Sequence, residues 1–122
     1  MTESQRVRRV AEEVREILAQ EIPRLKDPRL GFVTVTDVRM TPDLHKAWVF
    51  YTVLGDDKAK TGTRAGLRSA RSHLRGIIGH EIRLRTVPDL EFEEDRLMEQ
   101  AARVDELLKE ARAGGEEVGD ER

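Results

Sequence analysis

Apolar positions recur along this chain in two rhythms, one helical and one alternating, and each predicts an element. Val7, Val10, Val14, Ile17 and Leu18 return at helical spacing with Glu, Arg and Gln between them, which predicts a first helix. Thr2 followed by Gln5 fits a capping box at its start, and Pro23, which has no N–H to donate, marks its exit. Asp27-Pro28 and Gly31 then punctuate a loop over 26–31. Phe32–Met40 and Lys46–Leu54 are rich in Val, Thr, Phe, Trp and Tyr and read as strands. Between them Thr41-Pro42-Asp43-Leu44 supplies the turn of a hairpin. Val33 and Val35 share one face of the first strand, but the apolar series resumes at Val38 and Met40. That change of phase predicts a bulge or kink near Asp37. In the second strand Ala47, Val49, Tyr51 and Val53 alternate with Trp48, Phe50 and Thr52, so both faces are expected to be partly covered.

Gly55–Thr63 reads as a polar loop, and the helical period returns from Arg64. Leu67, Ala70, Leu74, Ile77 and Ile78 form one stripe, on one helix or two. A short third strand is expected within 83–92, bounded by the extended dipeptide Val87-Pro88. Leu97, Ala101, Val104, Leu108 and Ala111 predict an amphipathic C-terminal helix. Residues 113–122, with Gly114-Gly115 and four acids, are expected to be a disordered acidic tail. The reading is one domain over 1–112, of α+β class, with helices against one face of a small sheet.

Composition narrows the function classes. The chain of 122 residues has no cysteine, which removes disulfides, iron–sulfur clusters and thiolate zinc sites. Its longest apolar run, Ala47–Tyr51, is too short to cross a bilayer, and the start MTESQRVRR carries no apolar segment of a secretory signal. A cytoplasmic protein without a membrane contact is expected. The overall charge of −2 hides an asymmetry. Residues 1–90 hold 17 Lys and Arg against 12 Asp and Glu, a net of +5, whereas residues 91–122 hold 5 against 12, a net of −7. A cationic body with an acidic end suggests a polyanion partner.

The arginines carry that suggestion further. Arg64, Arg68, Arg71 and Arg75 fall on one helical strip beside the Leu67–Ile78 stripe, and no carboxylate occurs between Arg64 and His80. Arg83 and Arg85 follow, and Arg6, Arg8 and Arg9 add charge on the first helix. Arginine suits phosphate because its planar fork donates paired hydrogen bonds and is weakly hydrated. Nucleic-acid binding is therefore preferred to a merely solvated face. Other chemistry finds less support. His45, His73 and His80 lack a third ligand at a matching interval, so no metal is expected. Lys60-Thr61-Gly62-Thr63 lacks the glycine-rich stretch of a phosphate loop, and no carboxylate spacing singles out an acid–base pair. Gly76-Ile77-Ile78-Gly79 matches the GXXG of KH domains in letters alone, since both isoleucines belong to the apolar stripe. The chain carries no enzyme signature and implies no cofactor.

Three segments resemble the bacterial ribosome-binding factor A family. They are Lys26-Asp27-Pro28-Arg29-Leu30-Gly31-Phe32-Val33-Thr34-Val35-Thr36-Asp37-Val38, Thr41-Pro42-Asp43-Leu44 with the strand after it, and Arg83-Leu84-Arg85-Thr86-Val87-Pro88-Asp89-Leu90-Glu91-Phe92. Asp95 and Leu107-Leu108 follow in the same order, so the resemblance runs from the first helix to about Leu108. It implies a single type II KH-like domain, α-β-β-α-α-β, with a C-terminal helix. In place of GXXG it implies an interhelical kink at Ala-X-Gly, which aligns with Ala70-Arg71-Ser72. Serine stands where the family has glycine, so a weaker bend is expected. The resemblance further implies a monomer that binds the free small (30S) ribosomal subunit and its rRNA. There it would assist late maturation and 5′-end processing of 16S rRNA, most of all in the cold, without being an enzyme. The competing readings are a generic RNA-binding KH-like module and a protein–protein adaptor. Only five aromatic residues are available for base stacking, which disfavours a single-strand binder.

Overall fold

The structure, a computed structural model, describes residues 2–97, so the expected C-terminal helix and the tail over 113–122 lie outside the described residues. Helix α1 (Glu3–Glu21) opens on the capping box. The Gln5 amide donates to Thr2 Oγ1 at 3.2 Å, and the Thr2 amide donates to Gln5 Oε1 at 2.9 Å. Each pairs a group that the helix itself leaves without a partner. Val10, Ala11, Val14 and Leu18 are its buried side, and a 3₁₀ turn over Ile22–Arg24 carries Pro23 at the exit.

Strands β1 (Phe32–Met40) and β2 (Lys46–Leu54) form the expected antiparallel hairpin, and β3 (Asp89–Glu94) adds to β2 in parallel, giving the order β1-β2-β3. The bulge lies where the sequence changes phase: Val35 pairs with Tyr51 and Asp37 with Phe50, which leaves Thr36 as the extra residue. It returns Val38 and Met40 to the face of Val33 and Val35, opposite Val49 and Ala47. At the hairpin turn Leu44 sits at φ 64, a region β-carbons disfavour. Its buried side chain and its amide's bond to Thr41 O, at 2.9 Å, hold it there.

Helices α2 (Asp57–Ser69) and α3 (Arg71–Glu81) complete the order α-β-β-α-α-β, the type II KH-like fold of α+β class. The polar loop expected over 55–63 is corrected here, because α2 already begins at Asp57. Asp56 caps it by accepting the Ala59 amide at 2.9 Å. Helices α1, α2 and α3 share one core with the Ala47, Val49, Tyr51 and Val53 side of the sheet. Leu18, Ala47, Val49, Leu67, Leu74, Ile78 and Leu90 form the centre of the core, each at most 1% exposed. Gly76 to Gly79 lie inside α3, with Ile78 fully buried, so this stretch forms no loop.

Candidate nucleic-acid interface

Helical continuity is interrupted at Ala70, whose φ −85 and ψ −2 place it between α2 and α3. Its amide is shared between Gly66 O at 3.0 Å and Leu67 O at 3.1 Å, and its carbonyl starts α3 by accepting from Leu74 at 2.9 Å. Among the described residues only Leu44 and Gly55 have positive φ, so the junction places no glycine demand on Ala70, Arg71 or Ser72. Ser72 is exposed in the first turn of α3.

The loop over 26–31 holds α2 up to this junction. Arg29 grips Asp27 with Nε at 3.0 Å and Nη2 at 2.7 Å, and the same Nη2 reaches Ser69 Oγ at 3.2 Å, one residue before Ala70. The Arg29 side chain, then its backbone N–H, holds the Asp27 carboxyl below its usual range. Buried Thr63 accepts the Gly31 amide at 2.9 Å. The contact needs glycine on the helix. A β-carbon at Gly62 would stand 2.8 Å from Arg29 O, and one at Gly66 would stand 2.8 Å from Leu30 Cδ2.

The junction gathers the arginine strip along the edge of β3. Arg64, Arg68 and Arg71 line a groove of about 620 Å³. Arg71 and Arg75, with Ser72, line an adjoining one of about 370 Å³. The four arginines differ in what holds them. Arg75 donates from Nε to Pro88 O at 3.0 Å and from Nη2 to Val87 O at 3.1 Å, and also faces Asp89 Oδ1 at 3.5 Å. Arg71 reaches Leu90 O at 3.4 Å. Both dock α3 on the chain entering β3. The Tyr51 hydroxyl is raised above its usual pKa mainly by burial and then by the Glu94 charge, with the nearby Arg64 charge acting in the opposite direction. The Arg68 side chain is exposed and makes no hydrogen bond or ion pair among the described residues.

The strip is free of counter-charge only along the sequence. Glu91, Glu93 and Glu94 of β3 line the same groove as Arg64, Arg68 and Arg71, together with Arg96. Lys46, absent from the sequence-derived set, joins Arg71 and Arg75 because the parallel register sets it beside Asp89. The other expected arginines do not converge here. Arg6 and Arg85 meet at the hairpin turn, around Asp43 and Leu44. Arg9 pairs with Glu13 at 3.6 Å, while Arg8 and Arg83 are exposed and line neither groove.

These features define a KH-like domain whose helix–helix junction is flanked by arginines. Residues 6–108 match the family model described as ribosome-binding factor A. The chain belongs to the ribosome-binding factor A family. It is 46% identical over 121 residues to the ribosome-binding factor A of Acidothermus cellulolyticus, covering 98% of this chain and 81% of that protein. The crystal structure of ribosome-binding factor A from Thermus thermophilus superposes with a TM-score of 0.62 at 30% identity, over 70% of this chain and 92% of that one. A homology model of the Thermus thermophilus factor, fitted into the cryo-electron-microscopy map of a 30S complex, superposes with a TM-score of 0.58 at 32% identity. That match covers 70% of this chain and 90% of that one. The family is one of ribosome-binding factors rather than a known class of enzyme. No helix among the described residues is long and apolar enough to cross a membrane.

Proposed function

We propose that this protein binds the free small ribosomal subunit as a cytoplasmic monomer. It lays the α2–α3 edge on folded rRNA and assists late maturation and 5′-end processing of 16S rRNA, most of all in the cold. The observation that carries the reading is the convergence of Arg64, Arg68 and Arg71 on one groove beside the helix junction, in a chain of this family. Its neighbour fitted into a 30S complex supports the choice of partner. Arg68 is the leading phosphate contact, because its exposed guanidinium makes no hydrogen bond or ion pair among the described residues. Arg71 assists from a position already fixed by Leu90, which lowers its ordering cost on binding, and Arg64 assists from the same groove. Arg75, Lys46, Arg83, Arg85, Arg6, Arg8 and Arg9 contribute a diffuse field that steers approach. The protein acts by occupying and stabilising an rRNA conformation, with no bond made or broken.

The test is sedimentation with purified small subunits, large subunits and joined ribosomes. Co-migration with the free small subunit alone is expected. Equal binding to all three, or to random RNA of the same length, would favour the generic RNA-binding module instead.

A further inference from the structure

The groove beside the helix junction holds unanswered groups of both signs. Glu91 and Glu93 line it with Arg64, Arg68 and Arg71. Neither carboxylate makes a hydrogen bond or ion pair among the described residues, and Arg68 makes none either. Glu94 differs, since its side chain is only 10% exposed and faces Lys60 at 3.6 Å. Opposite charges that share a groove without meeting leave room for something between them.

Strand β3 sets this arrangement. Leu90 is buried in the core, so by alternation Phe92 and Glu94 point toward the helices. Glu91 and Glu93 leave from the open face of the sheet, the one turned away from the helices, beside their partners Trp48 and Phe50. The Asp89 amide donates to His45 O at 2.8 Å and the Asp95 amide to Tyr51 O at 2.6 Å, so residues of that parity bond β2. Leu90, Phe92 and Glu94 therefore turn their peptide groups to the free edge, where Arg71 takes Leu90 O. The Phe92 N–H and C=O meet no partner there among the described residues. The groove thus has an arginine wall, a peptide floor at Phe92 and a carboxylate rim. Its volume of about 620 Å³ is typical of small-ligand sites.

That combination narrows the occupant. A bare anion suits the wall and is repelled by the rim, and a cationic side chain suits the rim and is repelled by the wall. A nucleotide satisfies both, because its phosphate is an anion and its base carries N–H donors. Among the four bases, guanine alone sets two N–H groups, N1 and N2, side by side on its pairing edge. They match the two oxygens of a carboxylate, which can only accept. We propose that the groove reads one unpaired guanine of the rRNA, which deepens the RNA-binding reading above and rests on it. Glu93 lines this groove alone, whereas Glu91 also borders the adjoining one, so Glu93 accepts from N1 and N2 of the base. The Phe92 N–H donates to the guanine O6, and Arg68 and Arg64 take the flanking phosphates. Recognition by hydrogen bonds rather than by stacking suits a chain with five aromatic residues.

Fluorescence anisotropy of the whole protein with the oligonucleotides UUGUU, UUIUU (inosine), UUAUU and UUUUU tests this, beside binding to purified small subunits. UUGUU is expected to bind at least about fivefold more tightly than the other three, inosine included because it lacks the N2 amino group. Glu93→Gln, with its fold checked by circular dichroism, should lose that preference and bind UUUUU more tightly. The same variant should bind the small subunit at least about fivefold less tightly. Arg68→Ala should weaken all four oligonucleotides alike. Equal binding of UUGUU and UUIUU by the unaltered protein would overturn the proposal. So would a Glu93→Gln that tightens binding to every RNA and to the small subunit alike, which makes the carboxylate a brake on charge and nothing more. Failure of the unaltered protein to co-migrate with the small subunit is a different result, and it brings down the rRNA-binding reading together with this inference.

Discussion

Along the α2–α3 edge the cations lie among backbone oxygens and carboxylates; on the open sheet face they lie against a carboxylate and an indole. Arg75 and Arg71 bond carbonyls of residues 87–90, which fixes their position, and Arg75 also pairs with Asp89 at 3.5 Å. Arg39 and Lys46 are engaged by Asp37 and Trp48, toward the end of the hairpin away from exposed Phe32 and Leu54. One domain thus presents arginines positioned by backbone carbonyls on one side, and cations held by an acidic and an aromatic side chain on the other. The count of charges is less informative than what anchors each one.

The largest expected effect breaks the anchoring. Arg75→Ala removes two hydrogen bonds from a charged donor to carbonyls in partly buried surroundings, and should cost about 2 kcal/mol of stability with only a minor change in salt dependence of binding. Urea denaturation beside subunit binding separates the two. Arg68→Ala should do the reverse, leaving the unfolding midpoint unchanged while making the log–log salt slope of binding shallower by about 0.7–0.9. A binding curve unmoved by Arg68→Ala would return the strip to the status of a solvated face.

The loop that steadies the junction gives a matched pair. Gly62→Ala places a methyl against the backbone oxygen of Arg29, which cannot swing aside, and should destabilise by about 1–2 kcal/mol. Gly76→Ala meets nothing within 4 Å, so it should stabilise α3 by about 0.5–1 kcal/mol through helix propensity alone. Thermal melts of the two variants should move in opposite directions.

The smallest effect is a pH dependence. Asp27 is held low by Arg29, and Asp43 by the Thr41 hydroxyl and then the His45 amide. Their folded values lie below their unfolded ones, so their contribution is present above the ordinary carboxylate range and fades as pH falls through the lower folded values. Asp27→Asn should flatten the acid limb of the stability curve slightly, as read by denaturation at stepped pH.

How far the sequence carried depended on whether a signal was local. Thr2 and Gln5 announced their box, and the shift from Val35 to Val38 announced the bulge, because each is complete within a few residues. The first turns of α2 were invisible for a physical reason. Over Asp57–Gly62 the helix packs through glycine and a capped terminus rather than through an apolar stripe. The arginine strip was legible as a period, yet its carboxylate neighbours were not. Glu91, Glu93 and Glu94 arrive from the far end of a crossover that no local spacing encodes. The family was legible through motifs such as the one around Asp27 and Arg29, whose work here is to hold α2 by Ser69.

The parallel pairing of β3 also sets an order of assembly. β1 and β2 need only a short turn to meet, whereas Lys46 waits for Asp89, 43 residues further on. The loop entropy of that closure is offset only once α2 and α3 have formed between them. Arg71 and Arg75 find their carbonyl acceptors at the same late step, since those acceptors belong to residues 87–90. The cationic edge is therefore a product of long-range closure, and the chain has its phosphate-facing surface only when its last described strand has joined.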